Sequence, residues 1–193
     1  MATPMRLSGL GQAAAFHVDT SAVQACLDVS AVPDALFARG WRTGPAALTR
    51  SERRTVAGVT GHVAESVTEA LLDHLGWHAL WHFTGPGRHG VDLVFLAPND
   101  VVVAIEVKGT LVRGRIPRLS SRELAQMSAA WIDKADNPGM AELGLQSGDV
   151  YGGVVVVNFA DMIWRTALTA EFVTLRPVMS TTQLTDLRWL IHG

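Results

Sequence analysis

Residues 101–110 read VVVAIEVKGT, an almost wholly apolar, strand-forming run interrupted by Glu106 and Lys108. Side chains alternate across a strand, so these two charges share one face with Ala104, while Ile105 and Val107 share the other. A second carboxylate, Asp92, lies 14 positions before Glu106 in GVDLVF, at the preceding strand of a hairpin. The hairpin folds the two acids back toward each other, gathering two carboxylates and an ammonium at one end of a sheet. Adjacent carboxylates repel and resist desolvation. A divalent cation between them removes that penalty, and oxygen ligands of this kind suit Mg2+ or Mn2+. The ammonium beside them is placed to position or deprotonate a water. Lysine is also scarce here: of 16 basic residues 14 are arginine, and only Lys108 and Lys134 are lysine. A compact, titratable ammonium is a role arginine cannot fill.

The elements that must hold these residues are legible around them. From Ser51, the predicted N-cap, apolar residues recur at helical spacing through Val56, Val59, Val63, Val67, Ala70, Leu71 and Leu75, and Gly76 stops the helix. WHALWHF (77–83) alternates as a strand and TGPGRHG (84–90) is a loop. VDLVFLA and VVVAIEVKG, separated by Pro-Asn-Asp, form the hairpin. SRELAQMSAAWIDKA (121–135) has the pattern of an amphipathic helix, ended by Asn137-Pro138-Gly139. YGGVVVVNF, MIWRTALT and EFVTLRPV read as strands, and TTQLTDLRWLIHG as a closing helix. Residues 1–50 suggest small helices on either side of Pro33 and are read as an N-terminal helical extension to a domain spanning 51–193. The order helix, hairpin, helix, strand predicts an α/β domain with a mixed sheet flanked by helices.

This arrangement resembles the PD-(D/E)xK nuclease superfamily, which has the restriction-endonuclease-like fold. The resemblance covers about residues 57–158: GVD at 90–92 matches the first acidic motif and EVK at 106–108 the E-x-K. GHVAESVTEALLDHLGW looks like the family's first helix, with Glu65 at its glutamate position, and QMSAAW like its later glutamine-bearing helix, with Gln126 at the matching place. Val91 stands where the superfamily's name has proline. The resemblance implies hydrolysis of nucleic-acid phosphodiesters with Mg2+ or Mn2+, by an endonuclease rather than an exonuclease, on DNA in preference to RNA. Asp92, Glu106 and the Val107 carbonyl would hold the metal. Lys108 would activate the water, Glu65 would assist the metal or its water shell, and Gln126 would contact Lys108 or a phosphate. Cutting both strands of a duplex would favour a homodimer. Two rivals stand beside this expectation. One is an inactive member that binds nucleic acid or a partner protein without cutting. The other is an ordinary globular domain in which Glu106 and Lys108 are a surface ion pair on an edge strand.

A net charge of −2 gives no overall nucleic-acid signature, so such a partner must be read from local charge. Arg113, Arg115, Arg118 and Arg122 follow the E-x-K strand without an acid among them, and are candidates for gripping phosphates. The single cysteine, Cys26, excludes an internal disulfide and any CxxC metal site. His74, His78 and His82 are spaced by four, but Gly76 puts the first on a helix and the others on a strand, which argues against a zinc site. His89 falls in the loop before Asp92. Trp131 and Trp164 suit a core better than base stacking, and Glu69 is a solvated neighbour of Glu65. The N-terminus lacks a secretory layout and no apolar run is long enough to span a bilayer, so a cytoplasmic protein without a membrane partner is expected.

Overall fold

The computed structural model describes residues 15–17, 20–82, 90–119, 126–134, 137–169 and 180–185. In chain order the elements are β1 (Ala15–His17), α1 (Thr20–Val29), α2 (Asp34–Thr43), a 3-10 turn (Pro45–Ala47), α3 (Arg50–His74), β2 (His78–His82), β3 (Leu93–Leu96), β4 (Val102–Thr110), α4 (Ala129–Ile132), α5 (Pro138–Leu143), β5 (Tyr151–Asn158), β6 (Ile163–Thr169) and β7 (Ser180–Thr185). The strands form one sheet in the order β1-β7-β6-β5-β4-β3-β2. β4 pairs parallel with β5 and antiparallel with β3, so the sheet is mixed, as the alternation of elements predicts.

The apolar run around Glu106 is explained by its place. β4 is an interior strand, and both of its faces are covered. Val103, Ile105 and Val107 face a core built with Val56, Val59, Val63 and Val67 of α3. Ala104, on the other face, joins Val94, Val154, Ile132 and Met140 in a second core beneath α4 and α5. Helices therefore lie on both sides of the sheet. An edge-strand ion pair is excluded for Glu106 and Lys108.

α3 begins two residues earlier than the sequence suggests. The N-cap is Thr49, not Ser51, because TRSE is a capping box: Glu52 N–H donates to Thr49 Oγ1 at 3.3 Å, and Thr49 N–H to Glu52 Oε2 at 2.8 Å. At its other end the chain turns at Gly76, whose φ of 80° lies in the left-handed region that glycine enters without penalty. α3 lies hard against β4 at one point. A Cβ at Gly109 would meet the Thr60 carbonyl oxygen at 2.4 Å. Gly109→Ala is therefore expected to destabilise the protein by about 1–3 kcal/mol through forced separation of helix and strand. Chemical denaturation would detect this, and an unchanged midpoint would contradict the contact.

Within residues 24–48 the chain contributes to the main core. Leu27, Phe37 and Trp41 are buried in the same cluster as α3, and the Trp41 and Phe159 rings pack edge to face at 5.3 Å. β1 joins the sheet beside β7, an element the sequence pattern did not suggest. Two predicted helices are corrected. Within 121–135 only Ala129–Ile132 is helical among the described residues, because Met127 turns at φ 66° and Ser128 starts a fresh helix, its Oγ accepting from Trp131 N–H. The predicted closing helix is a strand over Ser180–Thr185, where the Thr-rich STTQLT adds to β6. The predicted strand EFVTLRPV (171–178), residues 186–193 and most of the 84–90 loop with His89 lie outside the described residues.

No helix among the described residues is long and apolar enough to cross a membrane.

Candidate active site

The site forms because β3 ends before β4 does. Leu93 opposite Ile105 is the last paired position of this hairpin at that end, and β4 runs on to Thr110. Asp92 stands immediately before β3. Its side chain continues the ladder, with Oδ2 accepting the Val107 N–H at 2.7 Å. The N–H and C=O of one residue in an antiparallel ladder point to the same neighbour. The Val107 carbonyl therefore faces the gap beyond β3, beside Asp92.

Through this gap, groups from both faces of the sheet come together. Glu106 and Lys108 project on the face of Ala104, and the Lys108 ammonium donates to Glu106 Oε1. Glu106 is 3% exposed, and its Oε2 is buried with no hydrogen-bond partner among the described residues. Glu65 arrives from α3, close enough to feel the Lys108 charge and to affect Asp92 and Glu106. Its Oε2 lies 3.4 Å from His62 Nδ1, one turn back on the helix. Gln126 supplies a side-chain hydrogen bond to the Glu106 carboxyl. It does so from a turn, not from the helix that the sequence pattern implies, and its contact is with Glu106.

Crowding of acids shapes the electrostatics. Burial, then the Glu106 and Glu65 carboxylates, push Asp92 up to about 8, against the Val107 N–H and Lys108, which pull it down. Burial also raises Glu106, opposed by Lys108 and Gln126. Glu65 is raised by burial as well, opposed by His62 and Lys108. A carboxyl whose folded-state value lies above its ordinary 3.8 makes the folded state the better proton binder. Its contribution to stability is complete below its ordinary value and is lost as pH rises toward the folded one. Asp92→Asn keeps an oxygen for the Val107 N–H and removes the charge. In metal-free buffer the variant should gain on wild type between pH 5 and pH 8, reaching about 1–3 kcal/mol. Paired denaturant melts across that range test this, and a difference independent of pH would remove the buried charge from the account.

Not all predicted site residues join this cluster. Arg113, Arg115 and Arg118 are exposed on the segment after β4, while Arg122 lies outside the described residues. This segment has an acidic anchor that its own sequence does not contain. Asp161 Oδ2 accepts the Gly114 N–H at 2.7 Å, and its Oδ1 lies 3.9 Å from Arg113 Nε. Asn158 donates from Nδ2 to the carbonyls of Val112 and Arg115 at 3.1 and 3.3 Å, and to Asp161 at 2.8 Å. The signal for this anchor was the NFAD turn directly after an apolar strand. His74 lies on α3 and His78 and His82 on β2; all three are exposed, and His82 Nδ1 is 3.7 Å from Glu69 Oε1. Trp164 is core, its Nε1–H donating to Thr68 Oγ1, and Trp131 packs at the margin of the second core.

Among the described residues no three His, Cys, Asp or Glu side chains are grouped as a ready metal site. Two carboxylates with a backbone carbonyl are a smaller set, and Mg2+ commonly takes one or two carboxylates and keeps several waters. The orphan Glu106 Oε2 beside Asp92 fits such a cation. No family model, curated protein or solved structure matches this chain.

Proposed function

We propose that this chain is a divalent-metal-dependent nuclease of restriction-endonuclease-like type, hydrolysing phosphodiester bonds with DNA as its main substrate. The observation that carries the reading is the Glu106 carboxyl. It is buried on an interior strand, with one oxygen on Lys108, the other without a partner among the described residues, and Asp92 at the adjacent strand end. Nothing in the packing of an ordinary core calls for such an arrangement, since a buried unpartnered carboxylate oxygen is costly.

In this reading Asp92, Glu106 and the Val107 carbonyl hold Mg2+ or Mn2+. When bound, the ion neutralises the paired acids and polarises the phosphodiester. Lys108, a quarter exposed, reaches from Glu106 toward solvent and orients the attacking water, or takes its proton once the ammonium has released its own to solvent. Gln126 helps to keep the Glu106 carboxyl in place, and Glu65 accepts from waters at the mouth of the gap. Arg113, Arg115 and Arg118 supply the local positive charge that the chain as a whole lacks.

The deciding experiment incubates the purified protein with linear duplex, circular duplex and single-stranded DNA, and with RNA, in Mg2+, Mn2+ or EDTA. Cleavage in either metal, abolished by EDTA, is the expected result. The Lys108–Glu106 ion pair, which forms without any metal, favours a second reading, a nuclease-fold module that binds nucleic acid or a partner protein without cutting. Binding with no cleavage in any metal would select it.

A further inference from the structure

One charged group on the site's own face of the sheet is not used by this mechanism. Arg165 lies on β6, and the strand register ties it to Lys108. Lys108 is the partner of Val156 on β5, and Val156 is the partner of Arg165 on β6. Register partners on adjacent strands project from the same face. Lys108, Val156 and Arg165 thus form one row across the sheet, with the Cα atoms of the two basic residues about 10 Å apart at two strand spacings. Val156 between them is small and buried.

Arg165 is only partly exposed, and its Nε is buried with no hydrogen-bond partner among the described residues. A guanidinium has five donors arranged as a rigid fork that matches phosphate, and it carries its charge at every physiological pH. The second core stops short of this row: Ala104 and Val154 are packed beneath α4 and α5, whereas the row begins further along the strands. An arginine held on a strand, its Nε unpartnered among the described residues and its backbone in register with the site lysine, suits a backbone-phosphate contact.

We propose that Arg165 binds a phosphate of the nucleic-acid backbone, flanking the bond held at Lys108, so that the strand lies across β4, β5 and β6. The proposal rests on the nuclease reading for its orientation, and assigns a substrate contact the sequence motifs do not reach.

The test separates the two claims by measuring binding without metal. Anisotropy of a fluorescein-labelled 20-base-pair DNA is followed over a salt series in EDTA for wild type, Arg165→Gln and Arg165→Lys. The slope of log K against log salt should flatten by about 0.7–0.9 in Arg165→Gln, one phosphate contact, and be largely restored in Arg165→Lys. In metal, Arg165→Gln should raise KM about tenfold with kcat within about threefold, the pattern of a lost uniform binding contact. A second measurement needs no variant. Bound duplex should protect Arg165 of wild type from phenylglyoxal, read by peptide mass spectrometry, so loss of fold in a variant cannot hide the answer. An unchanged salt slope at intact fold, or no protection of Arg165, overturns the proposal. Cleavage alongside either of those results leaves the nuclease reading standing, while protection without cleavage in any metal supports the phosphate contact and removes the nuclease reading.

Discussion

Alanine at Glu106 or at Asp92 is expected to abolish metal-dependent cleavage while the protein stays folded. Each change removes one of the two carboxylates proposed to hold the cation, and a cation held by a single acid and a backbone carbonyl has lost most of its charge complement. The rate should fall at least about 10³-fold, the scale of losing several kcal/mol of charge stabilisation in the transition state. The fold should survive because neither acid supports packing. Glu106 is a buried carboxyl raised by desolvation, and Lys108, already a quarter exposed, can turn to water when its partner is gone. Asp92→Ala does leave the Val107 N–H without its acceptor, a cost of about 1–3 kcal/mol. The measurements are cleavage in Mn2+, Mn2+ binding by calorimetry, and thermal melts. Wild-type cleavage by either alanine variant in a clean preparation would place the chemistry elsewhere.

The core of the site was legible because its information is local. Asp92, Glu106 and Lys108 sit on one hairpin, where period-two alternation and the Pro-Asn-Asp turn fix both face and register. Glu65 could be placed because α3 carries a long, regular apolar stripe. Outside this hairpin and helix, tertiary context decides. The apolar spacing of 121–135 fits a helix, yet Met127 adopts a left-handed turn and brings Gln126 to Glu106 by another route. STTQLT has no strong helical or strand period of its own, and the open side of β6 settles it as a strand. Nor does any pattern in residues 20–43 announce that Phe37 and Trp41 will pack on Phe159, more than a hundred positions away. Long-range placement of aromatics is a property of the assembled core.

The same distinction explains Arg165. In sequence it is one arginine among 14, in a strand with no motif. Only the order β4, β5, β6 and the pairing of Lys108 with Val156 and of Val156 with Arg165 put it in the row of the site. The arginines after β4 are the reverse case. Their charge is plain in the sequence, but their anchorage by Asn158 and Asp161 comes from across the sheet.

Lys108→Arg is expected to keep metal binding and lose about 10²–10⁴-fold in cleavage rate, the usual effect of removing a general base or a water-positioning group. In a chain that uses arginine for nearly every positive charge, the substitution would be harmless if charge alone mattered. Geometry says otherwise. The ammonium is a compact donor bonded to Glu106 Oε1, in a gap that also holds Asp92 and borders Glu65. A planar guanidinium is larger, takes a different path from the backbone, and tends to engage a carboxylate with both prongs of its fork. It would draw Glu106 into a bidentate pair and displace the water that Lys108 is proposed to position. It also cannot give up a proton in a protein, which closes the general-base route. Manganese titration is the control: both carboxylates remain, so wild type and variant should bind within a few-fold of each other. Single-turnover cleavage with saturating enzyme then isolates the chemical step from substrate binding. Near-wild-type rates in the arginine variant would reduce Lys108 to a counter-charge for Glu106, and the attacking water would need another partner, with Glu65 the candidate.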